Sequence, residues 1–179
     1  MGIVTKFGDS GETRLMYGER VSKADLQIEV CGAIDELNSF LGLARASCDD
    51  AEINAIVEHL QRETFIIGGE LATPVEHQDK LKARVTAAMT QVLEAHIAEV
   101  EKIPDLLDDW ALPGASGAGA ALDVARAVAR RAERGVVRLA DAGGVPNAEI
   151  LRYLNRLSDL LWLLGRRYEI TRHINGALR

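Results

Sequence analysis

Only two cysteines, Cys31 and Cys48, occur in the 179 residues. That is too few for a disulfide framework, so a reducing compartment and a packing role on helices are expected for both. Aromatic residues make up 4% of the chain, which leaves Leu, Ala, Val and Ile to build the core and suits closely packed helices. No window approaches the roughly 18 uninterrupted apolar residues of a membrane span. The start MGIVTKFGDSGE has no apolar stretch behind a basic segment, and a cytoplasmic protein is expected. His59, His77, His96 and His173 are scattered, without HExxH or a Cys/His cluster, which argues against structural zinc. GxxxxGK[ST] is absent, and the glycines of GASGAG follow no predicted strand, so a Rossmann reading fails.

What is present is a single-domain length with 47% hydrophobic residues and an uneven charge distribution. The net charge of −6 argues against nonspecific nucleic-acid binding. Residues 126–179 hold eleven arginines, no lysine and five acids, whereas residues 1–125 carry a net −12. The planar guanidinium fork grips phosphate with two parallel hydrogen bonds, so a small polyphosphate suits this segment better than DNA.

Apolar residues recur at three and four along most of the chain, predicting helices over about Asp25–Ala46, Ala51–Ala72 and Leu81–Lys102, with two more from near Ser116 and near Asn147. TPVEHQD reads as a turn around Pro74. IPDLLDDWALPGASGAG contains two prolines and closely spaced glycines and is the longest irregular stretch. Gly143, Gly144 and Pro146 end the fourth helix. Residues 1–24 are glycine- and threonine-bearing, with alternating polarity, and read as a tethered loop or short hairpin. The expected architecture is one all-α domain over 1–179, an up-and-down bundle of five helices with an ordered N-terminal arm.

Arg126, Arg130 and Arg134 are four apart and fall within roughly 80° of arc on one helix face, bordering the apolar stripe Leu122, Ala125, Ala129, Ala132 and Val136. Two readings stand side by side: a solvated face with Arg130 paired to Glu133 across one turn, or a phosphate-binding rail held by Glu133. Spacing does not decide between them. Gly8 and Gly11 in TKFGDSGETR could turn backbone N–H groups toward an anion, or form an ordinary turn. Asp35, Glu36 and Asn38 interrupt one apolar run, and Asn155, Arg156 and Asp159 interrupt another, as satisfied buried groups or as ligand and interface contacts. Trp110 reads as a core anchor or the wall of an apolar pocket.

Taken in order, TKFGDSGETRLMYGERVSK, GAIDELNSFLGLARA, LPGASGAGAALDVARAVARRAERGVV and YLNRLSDLLWLLGRR resemble the PduO-type cobalamin adenosyltransferases, almost end to end. The resemblance implies a ferritin-like five-helix bundle assembled as a homotrimer, with active sites between subunits. It implies transfer of the 5′-deoxyadenosyl group of ATP to the cobalt of cob(I)alamin, with Mg²⁺ and release of triphosphate. By position, Thr5, Lys6, Gly8, Thr13, Arg14 and Lys23 match the ATP-binding arm. Arg130, Arg131, Glu133 and Arg134 match the fourth-helix part of that site, and Asn155 the fifth-helix part. Asp35 and Arg126 match a salt bridge across the subunit boundary.

The resemblance further implies that an aromatic, usually phenylalanine, fills the vacated lower face of the corrin, and that position is Trp110 here. Ala115 in LPGAS stands where many members carry glycine, and the tail after Arg167 is short. A reductase and an adenosylcobalamin-dependent acceptor enzyme are the implied protein partners. The competing reading is a nucleotide- or corrinoid-binding carrier that does not turn over. A purely structural bundle is a third, and the Lys- and Thr-bearing arm argues against it.

Overall fold

The computed structural model describes residues 4, 6–107, 111–145 and 147–174. Five helices run up and down in chain order: α1 Leu26–Ser47, α2 Ala51–Leu71, α3 Ala87–Val100, α4 Gly117–Asp141 and α5 Glu149–Thr171. Directions follow from the cross-links between them. Glu29 and Glu36 of α1 meet Arg138 and Arg131 of α4, so those helices are antiparallel. Thr90 and Glu94 of α3 meet Glu149 and Arg156 of α5, so that pair runs parallel. Two three-residue strands, β1 Glu12–Arg14 and β2 Arg20–Ser22, pair antiparallel with Thr13 opposite Val21. The arm is therefore a hairpin.

Helix boundaries have local causes. Asp25 and Asp50 cap α1 and α2 by accepting hydrogen bonds from first-turn amides. The third helix starts six residues later than the periodicity predicts, and TPVEHQD is not a simple turn. Val75–Lys80 form a 3-10 helix, and buried Glu70 accepts a hydrogen bond from the Val85 amide at 2.8 Å, which holds the following residues extended. The other Glu70 oxygen accepts from Asn147 Nδ2 at 2.9 Å, so one carboxylate ties α2 to the segments entering both α3 and α5. The arm docks at this same end. The Met16 amide donates to Ala72 O at 2.9 Å, and Tyr17 packs edge-on against His77.

The core is aliphatic, as the low aromatic content predicts, with Leu37, Leu41, Leu60, Leu122, Leu154 and Leu157 fully enclosed. Its main polar intrusion is Tyr153 on α5, whose hydroxyl donates to Glu63 on α2 at 2.6 Å. Burial first, and then the Glu63 carboxylate, push the Tyr153 phenol well above its ordinary value. The unfolded chain releases this proton near pH 10 while the folded chain retains it, so stability falls as pH rises above about 10. Denaturant midpoints measured between pH 9 and 11 should show this decline. The decline should be shallower in Tyr153→Phe, and equal slopes in the two proteins would contradict the assignment.

Candidate functional site

Ser116 starts α4 by accepting a hydrogen bond from the Gly119 amide at 2.9 Å. The turn before it takes its positive φ (109°) at Gly114, so Ala115 carries no left-handed strain. Past this start, Leu122, Ala125, Ala129, Ala132 and Val136 are buried as a stripe, and the arginines emerge beside it. Arg126 is half-buried and pairs with Asp123 at 2.8 Å. Arg131 turns toward α1 and pairs with Glu36.

Arg130 and Arg134 are exposed and have no ion pair among the described residues. The pairing of Arg130 with Glu133 that a solvated face would make is not formed. Glu133 instead accepts from Asn155 Nδ2 at 3.2 Å, and Asn155 Oδ1 accepts from Arg156 at 2.7 Å. This fixes the Asn155 amide and leaves Arg130 and Arg134 without an ion pair among the described residues, next to a carboxylate that is already held.

Arg126 and Arg130 line a groove of about 590 Å³ together with Arg156, Asp159, Trp162 and the α3 wall of Glu94, Ile97 and Glu101, whereas Arg134 lies outside that lining. An apolar floor with a charged rim suits a large amphiphilic ligand. Trp162, Arg156 and the α3 wall are contributions that the sequence reading did not assign. Arg156 and Asp159 had stood out as polar breaks in an apolar run, but Trp162 carried no signal separating it from core.

A second groove, of about 370 Å³, lies between α1 and α2 and is lined by Cys31, Asp35, Asn38 and Phe65. Phe65 is 71% exposed, and Asn38 Oδ1 is buried without a hydrogen-bond partner. Burial first, and then the Asp35 carboxylate, push the Cys31 thiol up to about 11, so it is no nucleophile at neutral pH. Asp35 is exposed with no ion pair among the described residues. The two grooves share no residue, so Asp35 and Arg126 are not brought together within one chain.

In the arm, Gly11 adopts φ 82° and Lys6 φ 57°, and the Lys23 ammonium lies so close over Gly8 that a Cβ there would sit 2.7 Å from its nitrogen. Lys6 and Lys23 have no ion pair among the described residues. Arg14 stacks over Phe7 at 4.6 Å, and Thr13 sits on β1. The structure thus gathers Lys6, Gly8, Thr13, Arg14 and Lys23 on one hairpin. No hydrogen bond or ion pair among the described residues joins this hairpin to the α4 arginines. Thr5 and Trp110 lie outside the described residues.

The fold and the residues gathered on it define a class. The cobalamin adenosyltransferase family model matches residues 3–168, and the chain belongs to that family. It is 35% identical over its whole length to the corrinoid adenosyltransferase PduO of Salmonella typhimurium, spanning about half (53%) of that protein. It is 38% identical to a corrinoid adenosyltransferase of Bacillus subtilis, with 93% of this chain and 86% of that one covered. Among solved structures it resembles a variant of the PduO-type ATP:corrinoid adenosyltransferase from Lactobacillus reuteri complexed with cobalamin and ATP. The TM-score is 0.91 at 30% identity, covering 99% of each chain.

Proposed function

We propose that the chain transfers the 5′-deoxyadenosyl group of ATP to the cobalt of cob(I)alamin, releasing inorganic triphosphate. The observation that carries this reading is the pair of uncompensated arginines, Arg130 and Arg134, beside the tethered Glu133–Asn155 pair. They stand in a fold superimposable on a relative complexed with cobalamin and ATP.

Cobalt(I) supplies the electron pair that forms the Co–C5′ bond. The C5′–O bond breaks, its electrons leave with the triphosphate, and cobalt ends formally as cobalt(III). No protein base is needed. The chain's task is alignment of C5′ with cobalt and stabilisation of the charge accumulating on the leaving group. Arg130 and Arg134 serve the second task, joined by Lys6 and Lys23, while backbone amides around Gly8 cradle the phosphates with Thr5, Thr13 and Arg14 beside them. Arg131 belongs to the same site and is held by Glu36.

Among the described residues no three His, Cys, Asp or Glu side chains form a metal cluster. The single carboxylate of Glu133, with one oxygen engaged by Asn155, fits a Mg²⁺ ion that arrives on the nucleotide and keeps several waters. Bound there, Mg²⁺ would neutralise part of the triphosphate charge.

The site is completed by a second copy of the chain. Asp35 lines one groove and Arg126 another, and in a homotrimer Asp35 of one subunit reaches Arg126 of the next. The unpartnered Asn38 oxygen and exposed Phe65 lie in the groove that this contact covers. Trp110 takes the lower face of the corrin. Two free cysteines suit the cytoplasm, where a reductase supplies the cobalt(I) state and an adenosylcobalamin-dependent enzyme takes the product.

An anaerobic assay with chemically reduced cobalamin, ATP and Mg²⁺ tests the reading. Conversion of the cob(I)alamin spectrum to that of adenosylcobalamin is expected. Binding of both substrates with an unchanged spectrum would instead make the chain a carrier.

A further inference from the structure

A buried ion pair lies far from the uncompensated arginines yet on the same helix pair. Arg166 and Glu169 of α5 are 6% and 4% exposed, and Arg166 Nη1 donates to Glu169 Oε2 at 3.0 Å. The other carboxylate oxygen, Oε1, accepts from the Ser116 hydroxyl at 3.3 Å, and that hydroxyl in turn caps the Gly119 amide at 2.9 Å. Gly119 is required here, because a Cβ on it would overlap both Glu169 Oε1 and Ser116 Oγ.

Burying a charge pair is expensive unless its geometry is well satisfied. This one is not fully satisfied, since Arg166 Nε is buried without a partner, beside a cavity of about 30 Å³ lined also by Ala111, Leu112 and Trp162. Apolar packing would hold α4 against α5 without such a pair. Side-chain shape already resists sliding of α4 along α5, and a buried hydrogen-bonded pair adds a directional constraint that shape alone does not impose.

The contact between Glu169 and Gly119 and the hydrogen bond between Asn155 and Glu133 are separated by fourteen residues on each helix. At 1.5 Å per residue they bracket about 21 Å of the antiparallel interface. Arg126 and Arg130 lie between these two polar pins.

We infer that Glu169, acting through Ser116, is a positioning residue that fixes the axial register of α4 against α5 and so places the α4 arginines for the triphosphate. The inference rests on the ATP site proposed above. Glu169 does not line the groove bordered by the α4 arginines. Without its contact the bond between Glu133 and Asn155 is left as the polar link between α4 and α5 among the described residues, and the arginines lose the second point that fixes their offset along α5.

The test measures ATP affinity by calorimetry, together with thermal melting, in the full-length protein. Glu169→Ala should raise the Kd for ATP about tenfold. Ser116→Ala leaves the buried ion pair intact but removes its hydrogen bond to the start of α4, and should raise Kd by a similar factor even if Glu169→Ala folds poorly. Glu169→Gln retains an acceptor for Arg166 and a donor for Ser116. It should bind ATP within about twofold of the parent although it melts at a lower temperature, because Arg166 has lost its counter-charge. Affinity that tracks melting temperature across all three variants, or Ser116→Ala binding as tightly as the parent, would overturn the inference. A parent protein that binds no ATP would refute the site itself.

Discussion

Replacing Arg130 with alanine should lower adenosyl transfer by at least about a hundredfold, the range seen when one preorganised donor to a developing anion is removed. Arg130 is exposed and has no ion pair among the described residues, so its removal breaks none there. Alanine is the best helix former, and circular dichroism should be unchanged. Arg138 is the internal control. It lies two turns further along the same helix and is committed to Glu29 at 2.8 Å. As one half of an exposed ion pair it contributes at most about 1 kcal/mol, and Arg138→Ala should keep nearly full activity. Arg130→Lys retains the charge and loses the planar fork, so an intermediate rate is expected. Steady-state kinetics on the three variants checks the order, and full activity in Arg130→Ala would remove the rail from the site.

Asp35→Asn and Arg126→Gln should each cost about 2 kcal/mol in assembly or activity, roughly thirtyfold, with the double variant no worse than the poorer single one. Within one chain Arg126 is bonded to Asp123 at 2.8 Å, while Asp35 has no ion pair among the described residues and lines a different groove. An intramolecular account therefore gives Asp35→Asn almost no effect. In the proposed homotrimer it is a neighbouring copy that presents Asp35 to Arg126. A double-mutant cycle followed by sedimentation and turnover separates the two accounts, and additive effects would contradict a direct pair.

The helices were legible because their causes are local. Asp25, Asp50 and Ser116 cap where the pattern begins, and the apolar stripe of α4 is buried residue for residue. The third helix starts later than its periodicity predicts because the contact at its entry is remote in sequence: Glu70, on α2, accepts a hydrogen bond from the Val85 amide. Nothing in the residues around Val85 announces that contact.

The same limit governed the site. Four-residue spacing placed Arg126, Arg130 and Arg134 on one face. It could not show that Arg126 would turn to Asp123 and Arg131 to Glu36, leaving Arg130 and Arg134 without counter-ions. Nor could it show that Glu133 would be held by Asn155 from another helix. Buried acids such as Glu63 and Glu169 look like surface residues in a one-dimensional reading, because their partners Tyr153 and Ser116 lie on other elements and meet them only after the helices pack. Trp162 was overlooked for the complementary reason, since an aromatic within an apolar run reads as core until a groove is found beside it.

In the proposed reaction the α4 arginines and the arm hold the triphosphate as a single leaving group. Phosphorus NMR of an anaerobic reaction with reduced cobalamin, ATP and Mg²⁺ tests it most directly when adenosylcobalamin is counted in the same sample. One intact triphosphate released for each adenosylcobalamin formed is the predicted result. Pyrophosphate and phosphate accumulating in its place, or ATP remaining bound while neither product forms, would contradict it.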